Sequence, residues 1–177
     1  IIHKKGIELN GNNPTLLRAY GGFGSVSSPN YDTGLLHFLE KGGVYAFAQV
    51  RGGGEKGKNW HKEGKGLKKI NSINDFVDAA EFLIREKYTN PNKLAINGGS
   101  HGGLVVGAAM TQRPDLFKVV ISEMGRLDMA SLDKYTSGIH HFDEYGNPNN
   151  KEEFESMLSY SPYHTIKEDI NYPTCLI

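Results

Sequence analysis

Ser100 stands at the centre of a Gly-x-Ser-x-Gly pattern over residues 98–102, and its surroundings suit a nucleophile. The apolar run 93–97 before it predicts a strand, and residues 104–112 after it carry apolar side chains at helical spacing. A sharp turn between a strand and a helix exposes the serine oxygen, and flanking glycines tolerate the strain and close approach that this turn needs. The pattern therefore predicts a nucleophile elbow.

Two glycine-rich segments also fit other functions. The small residues around Ser100 suit a flexible linker, but the strand and helix predicted on either side argue against one. The segment 52–57 satisfies the G-x-G-x-x-G pattern of dinucleotide-binding proteins and follows a predicted strand. Its last glycine should open a helix, whereas residues 58–69 hold further glycines and no apolar face. We therefore expect no dinucleotide and no other cofactor.

Charge and histidine content exclude several classes of partner. Twenty basic and twenty acidic residues cancel, so neither a nucleic acid nor a membrane is an expected partner, and the lysine-rich segment 62–69 is interpreted as a solvated loop. The closest pair among the seven histidines, His140 and His141, is adjacent in sequence, and ligand spacing along a helix is absent. We expect no metal site.

The single cysteine, Cys175, excludes an internal disulfide and favours a reducing compartment, so a cytoplasmic location is expected. No apolar run reaches membrane-spanning length, and no signal peptide is recognisable. The chain opens without methionine and stops inside the strand-like run 171–177, which predicts that both ends are cut.

Predicted strands alternate with predicted helices along the chain. The strands are expected at 16–20, 44–50, 93–97, 119–124 and 174–177, and the helices at 33–41, 75–87, 104–112 and 151–158. Ser72 and Asp75 suggest a capping box for the second helix, after a long connection over 51–71 without predicted structure. This alternation predicts an α/β fold with a mostly parallel, doubly wound sheet. Reactive loops are then expected at the carboxyl ends of strands, where Tyr20 and Ser100 lie.

Several longer motifs occur in a fixed order. They are Ala19-Tyr20-Gly21-Gly22-Phe23, Val50-Arg51-Gly52-Gly53-Gly54-Glu55, Asn59-Trp60-His61-Lys62, Ile96-Asn97-Gly98-Gly99-Ser100 and Gln112-Arg113-Pro114-Asp115-Leu116-Phe117. With these motifs nearly the whole chain resembles the prolyl oligopeptidase family of serine peptidases. The resemblance implies that residues 1–177 are part of an α/β-hydrolase catalytic domain. In the family this domain is normally capped by a β-propeller, of which no sequence is present here. The resemblance further implies cleavage of short peptides after proline.

The resemblance also implies roles for individual residues. Ser100 matches the nucleophile, while the backbone N–H of His101 and the hydroxyl of Tyr20 match the two donors to the oxyanion. Phe23 and Tyr145 match aromatic residues that line the substrate pocket.

Two pocket positions depart from the family pattern. The pocket tryptophan of the family falls at His141, and a small apolar pocket residue falls at Arg126, so proline specificity stays open. A shift of register in this turn-rich region would instead place both side chains on the surface. An esterase, an oligopeptidase of other specificity and a non-catalytic binding module remain alternatives.

The remaining triad members have no match in the sequence. In this fold the acid follows a strand later than the elbow, and the histidine comes after the acid. That strand corresponds to 174–177, where the sequence ends, so we expect the sheet to be truncated before the acid and the base. The 177-residue chain alone is then expected to be inactive as a peptidase and to self-associate.

Overall fold

Six strands form one sheet in the computed structural model, which describes residues 1–28, 31–135 and 137–177. The strands are β1 (Ile2–His3), β2 (Thr15–Arg18), β3 (Val44–Phe47), β4 (Leu94–Gly99), β5 (Val119–Glu123) and β6 (Thr174–Leu176). They lie in the order β1-β3-β2-β4-β5-β6. β1 pairs with β3 in antiparallel orientation, and the other neighbours are parallel. The predicted mostly parallel sheet is therefore confirmed.

Helices connect the strands. They are α1 (Thr33–Glu40), α2 (Lys58–Lys62), α3 (Ile70–Arg85), α4 (His101–Gln112), α5 (Phe142–Tyr145), α6 (Lys151–Tyr160) and α7 (Pro162–Thr165). Helix α4 packs on β4 and β5 and also contacts α3 and α7. Residues 101–109 of α4 are all buried, since the helix is covered on nearly every side. Apolar residues of β2, β4 and α4 thus form the centre of the core.

The strand order reverses between β2 and β4. From β2 the chain moves outward to β3 and later returns to place β4 on the other side of β2. The crevice beyond the carboxyl ends of two such strands is the usual ligand site of an open α/β sheet. Because β2 and β4 are parallel neighbours with Arg18 paired to Asn97, Tyr20 and Ser100 both follow their strands at this crevice.

The segment between β3 and α3 is more ordered than the sequence predicts. It contains α2 and a 3₁₀ turn over Gly66–Lys68, so the expectation of a long connection without structure is wrong. Helix α3 begins at Ile70 rather than at residue 75. The predicted capping box is also wrong, because the buried Ser72 donates its hydroxyl to the carbonyl of Arg51, and Asp75 pairs with the Arg51 guanidinium.

Candidate active site

Ser100 occupies a strained turn between β4 and α4. Its φ is 53° and its ψ is −114°, a left-handed backbone conformation that non-glycine residues rarely adopt. The backbone N–H of Ser100 donates to the carbonyl of Glu123 at the end of β5, at 2.7 Å, which fixes the turn to the neighbouring strand. The Ser100 side chain is exposed. These features are those of the predicted nucleophile elbow.

Close backbone approaches explain the glycines around Ser100. A Cβ atom at Gly98 would lie 2.1 Å from the carbonyl oxygen of Gly102, and one at Gly102 would lie 2.4 Å from the carbonyl oxygen of Ala19. The second contact brings the end of β2 against the first turn of α4. Tyr20, the next residue of the chain, is thereby positioned beside the elbow.

Two groups beside Ser100 can donate hydrogen bonds to an oxyanion. His101 is the first residue of α4, so the helix leaves its backbone N–H without an internal partner. The half-buried Tyr20 hydroxyl is the second donor. Burial raises the Tyr20 pKa, the negative charge of Glu144 adds to this, and the Ser100 side chain opposes it. The phenol therefore stays protonated at neutral pH, and its O–H can donate a hydrogen bond.

The His101 side chain is buried and hydrogen-bonded to another side chain of the cavity lining. Its Nδ1 is hydrogen-bonded to the Tyr145 hydroxyl at 2.8 Å, and the two rings stack. Burial, reinforced by the positive charge of Lys69, lowers the pKa of His101 well below its ordinary value. The neutral imidazole is held against Gly22, where a Cβ atom would lie 2.4 Å from the ring. Among the described residues no histidine ring is hydrogen-bonded to the Ser100 hydroxyl.

One cavity of about 260 Å³ opens next to Ser100. The structure brings all seven predicted site residues to its lining, which consists of Tyr20, Phe23, Ser100, His101, Met124, Arg126, His141 and Tyr145. Phe23 meets His141 edge to face at 5.2 Å between ring centroids, and it meets Tyr145 at 5.7 Å. Arg126 and His141 both line the cavity, whereas the register shift considered from the sequence would have placed both side chains on the outer surface.

Met124 is the lining residue that sequence reasoning missed. It follows β5, has a φ of 51°, and is 88% exposed. Its position at the carboxyl end of the strand predicted over 119–124 was a usable signal, because the carboxyl ends of parallel neighbours meet at one edge.

A group of three ionisable side chains, termed here the ion cluster, supports the wall at Tyr145. Buried Lys69 donates to Glu144 at 2.5 Å, and His61 Nε2 lies 2.8 Å from the other oxygen of the same buried carboxylate. Lys69 also lies over the Tyr145 ring at 5.6 Å. The interpretation of 62–69 as a solvated loop is wrong for Lys69, because its partner is distant in sequence. Burial lowers the Lys69 pKa, whereas the charge of Glu144 opposes this.

Neither a metal-binding cluster nor a membrane-spanning helix is present in the part of the chain that the structure describes. No group of three or more His, Cys, Asp or Glu side chains there could hold a metal ion. None of the described helices combines the length and the hydrophobicity needed to cross a bilayer.

Comparison with known proteins places this geometry in a family. A family model described as the prolyl oligopeptidase family matches residues 29–177. The chain is 42% identical to a prolyl endopeptidase of Dictyostelium discoideum over 180 aligned residues, covering all of this chain and 24% of the relative. It superimposes on a post-proline cleaving enzyme from Rickettsia typhi with a TM-score of 0.96 and 41% identity, over 99% of this chain and 26% of the other.

A third relative has been solved with peptides bound. Prolyl oligopeptidase B from Galerina marginata matches with a TM-score of 0.94 and 36% identity, over 98% of this chain and 24% of that protein. Its structures with a serine or a histidine replaced by alanine hold a 35-residue substrate. A structure with an aspartate replaced by alanine holds a 25-residue substrate.

These matches cover the chain almost completely but only part of each relative. The chain spans about a quarter of the length of the curated relatives it matches. The shared architecture confirms the predicted α/β-hydrolase fold with its mostly parallel sheet. The chain belongs to the prolyl oligopeptidase family.

Proposed function

We propose that this chain supplies the nucleophile and the oxyanion-binding groups of a serine peptidase that cleaves short peptides. The observation that carries the proposal is the strained exposed Ser100 on the elbow, with Tyr20 and the His101 N–H beside it at one cavity. A strained backbone conformation costs about 1–3 kcal/mol and persists where function requires it. An ordinary surface serine needs no such backbone.

Each group has a defined role in the proposed reaction. The Ser100 oxygen attacks the substrate carbonyl carbon while its proton passes to a general base. Tyr20 and the His101 N–H donate hydrogen bonds to the oxyanion that forms on the carbonyl oxygen. The C–N bond then breaks, the amine leaves with the proton from the base, and an acyl-enzyme remains on Ser100. Water attacks this ester and releases the acid product.

The general base and its acid partner are proposed to come from residues outside this chain. The relative from Galerina marginata was trapped with substrate after replacement of a serine, an aspartate or a histidine. In that protein the aspartate and the histidine both follow the serine by more residues than follow Ser100 here. This spacing supports the expectation that the 177 residues alone have little peptidase activity.

Cleavage after proline is part of the proposal. Relatives of this chain are named prolyl endopeptidases and a post-proline cleaving enzyme. The aromatic rings of Phe23 and Tyr145 give the cavity apolar walls that suit a proline ring. The charged Arg126 departs from such a pocket and is treated separately below.

Labelling with a fluorophosphonate probe tests the nucleophile. In the protein at its natural length, the probe should modify Ser100, and Ser100→Ala should abolish both labelling and hydrolysis of N-blocked Gly-Pro anilides. Ser159→Ala, which changes an exposed serine on α6, serves as the control and should leave both unchanged. Labelling without peptide hydrolysis, together with ester hydrolysis, would favour an esterase. Absence of labelling would favour a non-catalytic module.

Two further expectations stay predictions. Strand β6 is exposed at the sheet edge and supports self-association of the isolated 177 residues, which sedimentation at increasing concentration would detect. The cytoplasmic location inferred from the single cysteine also stays a prediction.

A further inference from the structure

Arg126 brings an unpaired positive charge to the cavity beside Ser100. Its Nη2 donates to the Ser137 hydroxyl at 3.3 Å, and its guanidinium lies 5.4 Å from the Tyr135 ring centroid. Its Nη1 is buried and has no hydrogen-bond partner among the described residues. No carboxylate in the described part of the chain forms an ion pair with Arg126. A buried guanidinium N–H without an acceptor is costly unless a ligand supplies one.

His141 also lines the cavity and has a second polar atom without a partner in the described part of the chain. Its Nδ1 is also buried without a partner in the described residues. Burial lowers the pKa of His141, and the nearby charge of Arg126 lowers it further, so the ring is neutral at pH 7. A neutral imidazole can still donate one hydrogen bond. Arg126 and His141 thus line one cavity, and each keeps unused hydrogen-bonding capacity for an acceptor bound there.

The net charge around the cavity favours an anion. Glu144 is the nearby carboxylate that would repel one, but its oxygens are engaged by Lys69 and His61, and it does not line the cavity. Lys69 carries a compensating positive charge beside it. Arg126 is left as the residue in the cavity lining that carries a permanent charge.

We propose that this cavity binds a substrate residue with a side-chain carboxylate, held by Arg126 with support from His141, on the acyl side of the bond that Ser100 attacks. Glutamate is the side chain with the longer reach. The cavity volume of about 260 Å³ has room for roughly one such residue. Planar guanidinium groups bind carboxylates through two parallel hydrogen bonds, which gives direction as well as affinity. This inference rests on the proposed peptidase function and deepens it, because it names a second substrate class beside proline.

Kinetics with matched substrates test the inference. N-blocked dipeptide anilides ending in Glu, Gln, Lys or Pro would be compared at pH 7 with the protein at its natural length. The value of kcat/KM for Glu should exceed that for its neutral isostere Gln by about tenfold or more, and Lys should be the poorest substrate. Arg126→Gln should lower this Glu-to-Gln ratio by about tenfold or more. Arg85→Gln changes an exposed arginine and should keep the ratio.

Binding to the Ser100→Ala variant separates this inference from the proposed function. Calorimetry with N-blocked dipeptide amides should show tighter binding of the Glu peptide than of the Gln peptide, and Arg126→Gln in the same background should remove the difference. His141→Phe, which keeps a ring against Phe23, should reduce the difference partially. Equal binding and equal hydrolysis of the Glu and Gln peptides would overturn the carboxylate site. Failure of Ser100 labelling alone would overturn the peptidase proposal and leave the binding result intact.

Discussion

The elbow at Ser100 and the wall at Tyr145 border the same cavity, but different forces hold them in place. Backbone contacts hold the elbow, where Gly98 and Gly102 leave no space for a Cβ atom. Buried charges support the wall, since Lys69 and His61 converge on the Glu144 carboxylate next to Tyr145. The elbow should therefore be sensitive to added atoms, whereas the wall should be sensitive to lost charge.

Removing the charge at Glu144 should have the largest effect. Glu144→Gln leaves the buried ammonium of Lys69 without a counter-charge, and breaking a buried pair in this way costs about 3–5 kcal/mol. Urea-induced unfolding of the protein at its natural length measures the loss. Asp143→Asn is the matched control, because Asp143 pairs with Lys65 at an exposed site where such pairs contribute about 1 kcal/mol or less. Equal losses in the two variants would show that the ion cluster does not stabilise the wall.

Replacing Lys69 and Glu144 together by apolar residues should recover much of the stability that Glu144→Gln loses. The double variant Lys69→Met, Glu144→Leu leaves no uncompensated charge, and apolar replacements of buried pairs are often neutral or stabilising. A double variant as unstable as Glu144→Gln would indicate that packing, rather than charge, holds the wall.

Adding one methyl group tests the elbow. Gly98→Ala places a Cβ atom 2.1 Å from the Gly102 carbonyl oxygen, where only movement of the backbone relieves the clash, and it should cost about 3 kcal/mol. The neighbouring Gly99→Ala is the control, because its Cβ atom meets nothing closer than 3.8 Å. The same unfolding experiment compares them. A Gly98→Ala variant as stable as Gly99→Ala would refute the close packing assigned to the elbow.

The pH dependence of stability tests the contact between the two regions, which runs through His101 and Tyr145. The His101 ring is neutral in the folded protein because its pKa is lowered well below the ordinary value of 6.5, which it regains on unfolding. Below pH 6.5 the unfolded state therefore binds the extra proton. As the pH is lowered from 6.5, the free energy of unfolding should fall by about 1.4 kcal/mol per pH unit until the pH reaches the folded-state pKa.

Replacing the ring should flatten this dependence. Unfolding measured between pH 6.5 and 5.5 should show a shallower slope for His101→Asn than for the unchanged protein. His37→Gln, which alters an exposed ring, should keep the original slope. An unchanged slope in His101→Asn would mean that the buried ring is not the source.

The difference between the two regions also explains what the sequence could predict. The elbow is built from one continuous segment, so its glycines, strand and helix are visible as a local pattern around Ser100. The ion cluster joins residues separated by 75 and 83 positions, and no local pattern links Lys69 or His61 to Glu144. Lysines in a glycine-rich segment are usually solvated. This expectation is wrong for Lys69, because the fold brings the buried carboxylate of Glu144 to it.

The helix boundaries show the same limit. The sequence predicts a capping box at Ser72 and Asp75, a local arrangement, whereas both side chains bond instead to Arg51, across the loop that follows β3. Long-range hydrogen bonds thus form in place of the predicted local ones. Helix α3 extends five residues further towards the N-terminus than predicted. The parallel sheet and the cavity residues were predictable because strand alternation and the family resemblance both pointed to one sheet edge.

The central claim is that Tyr20 and Ser100 act together, with the tyrosine hydroxyl donating to the oxyanion formed when Ser100 attacks. A donor of this kind contributes about 3 kcal/mol in the transition state and little in the ground state. In the protein at its natural length, Tyr20→Phe should lower kcat roughly a hundredfold and leave KM nearly unchanged. Tyr163→Phe, which removes an exposed hydroxyl, is the control and should change neither. An unchanged kcat for Tyr20→Phe, or a loss confined to KM, would contradict the account.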